Sequence, residues 1–200
     1  MNKLLALFTS LLLLTGCLQS STLTEEDKAL PDSDQSSFNR DSVEIDYDRS
    51  YLAFTGTKNS FSASHQCEFE SYTVSITLDA TEPGNLEKAQ FAVDIDITSL
   101  KTDNDRVTTH LLSPDFFAAE TYSTANFVST AITPAGEAGS FLISGDLSIK
   151  ETTQEVTFAA QITNDYATMK LTIDRLDFGV GEENYVDNPI PIEAKLIFQS

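Results

Sequence analysis

The chain has 200 residues, 40% hydrophobic and 22% charged, which describes a soluble globular protein with room for one ordinary domain or two small ones. Twelve Lys and Arg against 31 Asp and Glu leave a net charge of −19, which excludes a nucleic-acid binder that works by neutralising phosphates. The same acidity is repelled by anionic membrane surfaces, so simple electrostatic adhesion to them is disfavoured.

Residues 1–16 read as a lipoprotein signal peptide. Lys3 supplies the positive start, Leu4 to Leu14 is an apolar run broken only by Thr9 and Ser10, and Leu14-Thr15-Gly16-Cys17 closes it. A bilayer span needs roughly 20 residues, so this run is too short to cross. The closing order resembles a bacterial lipobox, in which Cys17 becomes the lipid-bearing first residue of the mature chain; the alternative is a short buried helix. Leu18, where an Asp would mark inner-membrane retention, points to a bacterial cell envelope protein on the outer membrane, facing the periplasm. Residues 17–42 then read as the anchor cysteine and a disordered acidic tether, because Ser, Thr, Asp and Glu dominate without sustained apolar periodicity. With Cys17 lipidated, Cys67 is the remaining cysteine and no intramolecular disulfide is available.

From Val43 the sequence becomes a succession of alternating segments. Tyr72, Val74, Ile76 and Leu78 share one parity, as do Phe91, Val93, Ile95 and Ile97. The pattern continues in Phe141, Ile143, Leu147 and Ile149; in Val156, Phe158, Ala160 and Ile162; in Met169, Leu171 and Ile173; and in Ile190, Ile192, Ala194, Leu196 and Phe198. Pro83-Gly84-Asn85, Pro134-Ala135-Gly136, Asn164-Asp165 and Gly179 to Asn184 separate these runs as turns. Further strands are expected at Val43 to Tyr47, Tyr51 to Thr57 and Asn126 to Ile132. Alternation of this kind belongs to antiparallel sheets with one dry face, so residues 43–200 are all-β. About eight strands of this length close into an extended, lipocalin-like antiparallel β-barrel; a two-sheet sandwich is the alternative.

Residues 103–119 break the alternation. Asp103 can cap a short helix carrying Val107 and Leu111 on one face, and Ser113-Pro114 starts a second turn. This short helical insertion is expected at one end of the barrel, as a lid or as a plug.

Four motifs in order are similar to those of the YceI-like family. They are the stretch from Thr102-Asp103-Asn104 through Ser113-Pro114-Asp115-Phe116-Phe117 to Tyr122-Ser123-Thr124-Ala125-Asn126-Phe127; Gly145-Asp146-Leu147-Ser148-Ile149; Thr152-Thr153-Gln154-Glu155-Val156-Thr157-Phe158; and Arg175-Leu176-Asp177-Phe178-Gly179. Ser123 stands where proline is common, and Lys150-Glu151 where His-Gly is common. The resemblance covers Val43 to Ser200 and implies a periplasmic barrel that encloses a polyisoprenoid chain. The absence of Trp separates it from lipocalins proper, so that likeness is one of architecture.

The residues themselves fit binding better than catalysis. An inward apolar parity would bury a long hydrocarbon with a gain of about 0.8 kcal/mol per CH₂. Phe54, Tyr72, Phe91, Phe116, Phe117, Phe127, Phe141 and Phe158 are the candidate lining aromatics; a filled, purely structural barrel is the competing reading. A polar head group needs donors at the mouth, and Arg106, His110, Lys58, His65 and Arg175 are the candidates. Arg175 has Asp174 and Asp177 close in sequence, Arg106 has Asp103 and Asp105, and His110 could instead be a packed helix residue bonded to a carbonyl. His65 and Cys67 share a strand face and could ligate a soft metal or act in redox chemistry, for which a third ligand is needed. There is no Gly-x-Ser-x-Gly, P-loop, Gly-x-Gly-x-x-Gly or His-Glu-x-x-His, so no enzyme is expected. No cofactor is implied beyond a bound isoprenoid lipid or quinone. The expected partners are that lipid, a membrane through the anchor, and a second copy as a homodimer; a filled structural barrel would instead meet a partner through an exposed edge strand.

Overall fold

The computed structural model describes residues 38–58, 64–183 and 186–200. The signal peptide and the lipidated Cys17 therefore lie outside the described residues, as does the tether up to residue 37. The described part is a single antiparallel sheet. Its strands are β1 (Ile45–Thr57), β2 (Ser64–Phe69), β3 (Tyr72–Thr77), β4 (Gln90–Asp96), β5 (Leu100–Thr102), β6 (Thr124–Pro134), β7 (Ser140–Ile149), β8 (Thr152–Ile162), β9 (Tyr166–Asp174) and β10 (Pro189–Phe198). One α-helix among the described residues, α1 (Asp105–Leu112), interrupts them.

Ten strands replace the expected eight because two long strands are each broken in the middle. The sheet order runs β3-β4-β6-β7-β8-β9-β10-β1-β2-β5. At the two ends of that order, β2 continues into β3 and β4 continues into β5. The ladder from Cys67↔Thr102 to Phe69↔Leu100 resumes at Tyr72↔Ile95 and ends at Thr77↔Gln90. The extra residues on one side are taken up by a one-turn helix at Ile97–Ser99, capped by the Asp96 carboxylate, which accepts from the Thr98 N–H at 2.9 Å. The break is stitched by the Asp96 N–H to the Ser71 carbonyl at 3.0 Å and the Glu70 N–H to the Ser99 carbonyl at 3.3 Å. The bend lets the pair turn a barrel corner, so the sheet curls back on itself. Near the start of β1 the seam is held by side chains: the Val74 N–H donates to the Tyr47 hydroxyl at 3.0 Å, and the Tyr47 and Tyr72 rings meet edge-on at 5.5 Å.

The two segments expected at residues 43–47 and 51–57 are one strand, with a register shift between Asp46 and Tyr51. Ser50 spans that shift, donating to the Asp46 carbonyl at 2.6 Å and accepting from the Ile197 N–H at 2.8 Å. A second shift falls between Ser129 and Ala131 on β6. Beside it, Gly145 lies under the Phe127 ring, and a Cβ there would stand 2.4 Å from the Val128 carbonyl oxygen and 2.5 Å from Phe127 Cζ.

The tether expectation is corrected at its end. Phe38 is 2% exposed and belongs to the core, so ordered structure begins before residue 43. The cap of α1 also differs: Asn104 accepts from the Arg106 N–H at 2.9 Å, while Asp103 turns to His65. Asn104 has the extended backbone of a cap residue, whereas Asp103 lies one position too early to reach the first free N–H groups. After α1, Ser113-Pro114 does start a second turn, its hydroxyl accepting from the Asp115 N–H at 3.3 Å.

Candidate functional site

The alternation places one parity of every long strand inside the curl, and there the interior is hollow. Many inward residues, including Val74, Phe91, Val93, Phe158, Met169 and Leu171, are only partly buried although they pack against the core. Their free surface faces two chambers, an outer one of about 430 Å³ and an inner one of about 140 Å³. Strand positions order the chambers along one axis. On β10 the lining passes from Ile190 in the outer chamber to Ala194, Leu196 and Phe198 in the inner one, and on β1 from Gly56 and Phe54 inward to Leu52. Leu52, Ile95, Leu147 and Ile192 face both, forming an apolar belt between them. The eight steps from Ile190 to Phe198 correspond to about 26 Å of strand, so the hollow is long and narrow. The filled-barrel alternative does not describe this interior, since two chambers lie along its axis.

The outer end carries the polar groups. Helix α1 sets Arg106, Val107, His110 and Leu111 into the wall of the outer chamber, and β1 and β2 add Lys58, His65 and Cys67. Neither the Lys58 nor the Arg106 side chain has a hydrogen-bond or ion-pair partner among the described residues, so the expected pairing of Arg106 with Asp103 or Asp105 does not form. His110 does not bond a carbonyl; its ring stands edge-on to Phe116 at 4.9 Å, with Nε2 3.7 Å from Asp115. The inner chamber is lined by carbon, and the Tyr72 hydroxyl beside it is buried without a partner among the described residues. Burial pushes that phenol up to about 12, with the neighbouring Tyr47 acting in the same direction.

Among the described residues, His65 and Cys67 find no third metal ligand. His65 Nδ1 is held by Asp103 at 2.6 Å, and the Cys67 thiol, 1% exposed, donates to the His65 carbonyl at 3.6 Å. Burial pushes the thiol up to about 11, against a lowering bond from Gly56, so the thiolate that a soft metal or a redox reaction needs is disfavoured. Among the described residues no group of three His, Cys, Asp or Glu is placed to hold a metal ion.

Arg175 borders the outer chamber but its donors are committed. The residue is 3% exposed, and its guanidinium donates to the carbonyls of Val180 (2.7 Å), Glu182 (2.7 Å), Val186 (3.0 Å) and Asp187 (3.3 Å), and to Asn188 Oδ1 at 3.2 Å. The expected ion pair with Asp174 or Asp177 does not form; Asp174 instead caps the following turn through the Leu176 N–H at 2.9 Å. Desolvation lowers the arginine pKa, with Asp174 opposing. Arg175 thus moulds the loop before β10 into part of the mouth. Lys150 does the same across the opening, donating to the carbonyls of Phe116 (3.1 Å) and Gly179 (2.7 Å) from a left-handed backbone at φ 57.

Of the aromatics expected to line the lumen, Phe54, Phe116 and Phe117 face the outer chamber and Tyr72, Phe91, Phe127 and Phe158 the inner one. Phe141 is corrected: it is buried in the wall and faces neither chamber. Sequence reasoning missed the belt and the inner end. There Phe38 packs edge-on against Phe198 at 6.4 Å, and the signal for it is that Phe38 is the lone aromatic of residues 17–42.

A YceI-like domain model matches residues 43–198. The chain is similar to a UPF0312 protein of Vibrio cholerae, 28% identical over 128 residues that make up 56% of this chain and 66% of the relative. It is also similar to a UPF0312 protein of Pseudomonas putida, 31% identical over 97 residues, 48% of each chain. The chain thus spans slightly less than two thirds of the first relative and about half of the second. Among solved structures, BcnA of Burkholderia cenocepacia superposes with a TM-score of 0.67 at 23% identity, over 77% of this chain and 99% of that one. A polyisoprenoid binding domain from Saccharophagus degradans superposes at 0.57 and 15% identity, over 80% and 99%. These two likenesses carry the barrel fold. With a family model covering nearly all of the folded part, the chain belongs to the YceI-like family.

Proposed function

We propose that the protein is a non-catalytic carrier or sequestering protein that holds one isoprenoid lipid, or a similar amphiphile such as a quinone, in its lumen. The observation that carries this reading is the pair of apolar chambers that share the Leu52, Ile95, Leu147 and Ile192 belt, with the basic groups at the outer one. Each CH₂ drawn from water into the passage contributes about 0.8 kcal/mol, so tail length supplies affinity. Lys58 and Arg106, which have no partner among the described residues, suit an anionic or carbonyl-bearing head group. The Saccharophagus neighbour, described as a polyisoprenoid binding domain, supports the same ligand class. Nothing in the mechanism requires a bond to be made or broken. Lipid on Cys17 would tether the barrel to the bacterial outer membrane on its periplasmic side, where it meets such lipids.

The test compares native and denatured mass spectra of the full chain purified from a bacterial host, with an organic extract of the same sample. A species of isoprenoid mass that is lost on denaturation is the expected result. A ligand-free spectrum, unchanged after incubation with polyprenols and quinones, would refute the reading.

A further inference from the structure

We infer that Phe38 is the chain-length stop of the lumen, so that a residue N-terminal to the family domain sets which tail this protein prefers. The inference deepens the lipid-binding reading and rests on it.

Phe38 lines the inner chamber at the end opposite the mouth, together with Ile162, Leu196 and Phe198. Its ring is 2% exposed and meets Phe198 nearly at right angles, with an interplanar angle of 88°. The segment is pinned. The Asn39 N–H donates to Asn164 Oδ1 at 2.6 Å, in the turn between β8 and β9. The Arg40 guanidinium donates to the Gln199 carbonyl and lies 5.9 Å over the Phe198 ring. Gln199 is tied in turn to the start of β1, its N–H donating to the Glu44 carbonyl at 2.9 Å and its side-chain amide to the Ile45 carbonyl at 3.1 Å. Phe38 is thus an end wall braced against three strand ends.

The chemistry of that wall leaves one kind of discrimination. The inner chamber is lined by carbon, so it cannot distinguish tails by hydrogen bonding and selects by size alone. A tail entering from the mouth gains affinity with each unit until its last carbons reach the Phe38 ring. A longer tail must fold back or leave its surplus in water, where the gain stops. The family match begins at residue 43, so Phe38 lies outside the matched residues.

The experiment titrates the full-length protein with a graded series of free polyprenols, from farnesol and geranylgeraniol upward, reading affinity by native mass spectrometry. Wild type is expected to bind more tightly with each added unit up to a limiting length. Phe38→Ala removes six ring carbons against the five of an isoprene unit and should move the limit about one unit longer. Phe38→Leu, which keeps the apolar contact with Phe198, should move it in the same direction by less, and Phe38→Trp should shorten it. Tails too short to reach the wall should bind all four proteins alike. Equal limits in all four, with short-tail binding intact, would overturn the stop and leave lipid binding standing. Failure of wild type to bind any polyprenol would overturn both.

Discussion

Replacing Arg175 with methionine tests whether the mouth is moulded by buried hydrogen bonds or by apolar contact. Methionine keeps the length and apolar stem of the side chain and removes its donors. Four backbone carbonyls, of Val180, Glu182, Val186 and Asp187, then lose their guanidinium donor. Each orphaned buried acceptor costs about 1–3 kcal/mol. Relief of the arginine's own desolvation and re-solvation of the outermost carbonyls offset part of that, which leaves a net loss of about 3–5 kcal/mol. Arg175→Lys should recover little, because an ammonium cannot span carbonyls that a planar fork reaches from Nε, Nη1 and Nη2 together. Urea denaturation of wild type and both variants reads the difference. A loss below about 1 kcal/mol for Arg175→Met would refute the reasoning, since it would mean that the loop holds its shape without the guanidinium.

Three further outcomes are expected. Leu147→Trp fills the belt and shuts off the inner chamber, whose 140 Å³ holds four or five methylene-sized groups, so long polyprenols should lose about 3–4 kcal/mol, several hundredfold in Kd, while short ones bind unchanged; equal losses for both would show that the chambers are not in series. Gly145→Ala drives a Cβ to 2.4 Å from the Val128 carbonyl and should cost at least about 3 kcal/mol in thermal or urea unfolding, with a cost under about 1 kcal/mol showing that β6 yields freely. Cys67, raised from 9.0 to about 11, contributes stability that is whole below about pH 9 and lost as pH rises through 11, by about 2–3 kcal/mol; the loss should be missing in Cys67→Ala, and a pH profile shared by both proteins would refute it.

Much of the barrel was legible because its signals are local. Tyr72, Val74 and Ile76 point inward together because a strand repeats every two residues, and the same holds for Phe91, Val93 and Ile95. The short insertion was legible too, since Val107 and Leu111 lie one turn apart and both face the outer chamber. The site was less so. Lys58, Arg106 and His110 are legible as basic candidates and line the outer chamber, whereas Arg175, an equal candidate by sequence, is spent on carbonyls up to Asp187. An arginine near two aspartates looks like an ion pair in one dimension. Only the path of the loop back over the guanidinium shows which oxygens are nearer.

Composition, the strand period and the turn residues thus determined that this chain builds an acidic, antiparallel barrel with an apolar interior face. Whether that interior is solid or hollow was decided by tertiary structure alone, because the space on the axis depends on how inward side chains from Leu52, Ile95, Leu147 and Ile192 add up across strands far apart in sequence. The same holds for the two bent strands that close the sheet, whose breaks show only in the register of their partners. It holds for Phe38 most clearly. Local composition assigned it to a tether, and only the packing of Phe198 and the β8–β9 turn around its ring made it the end of the lumen.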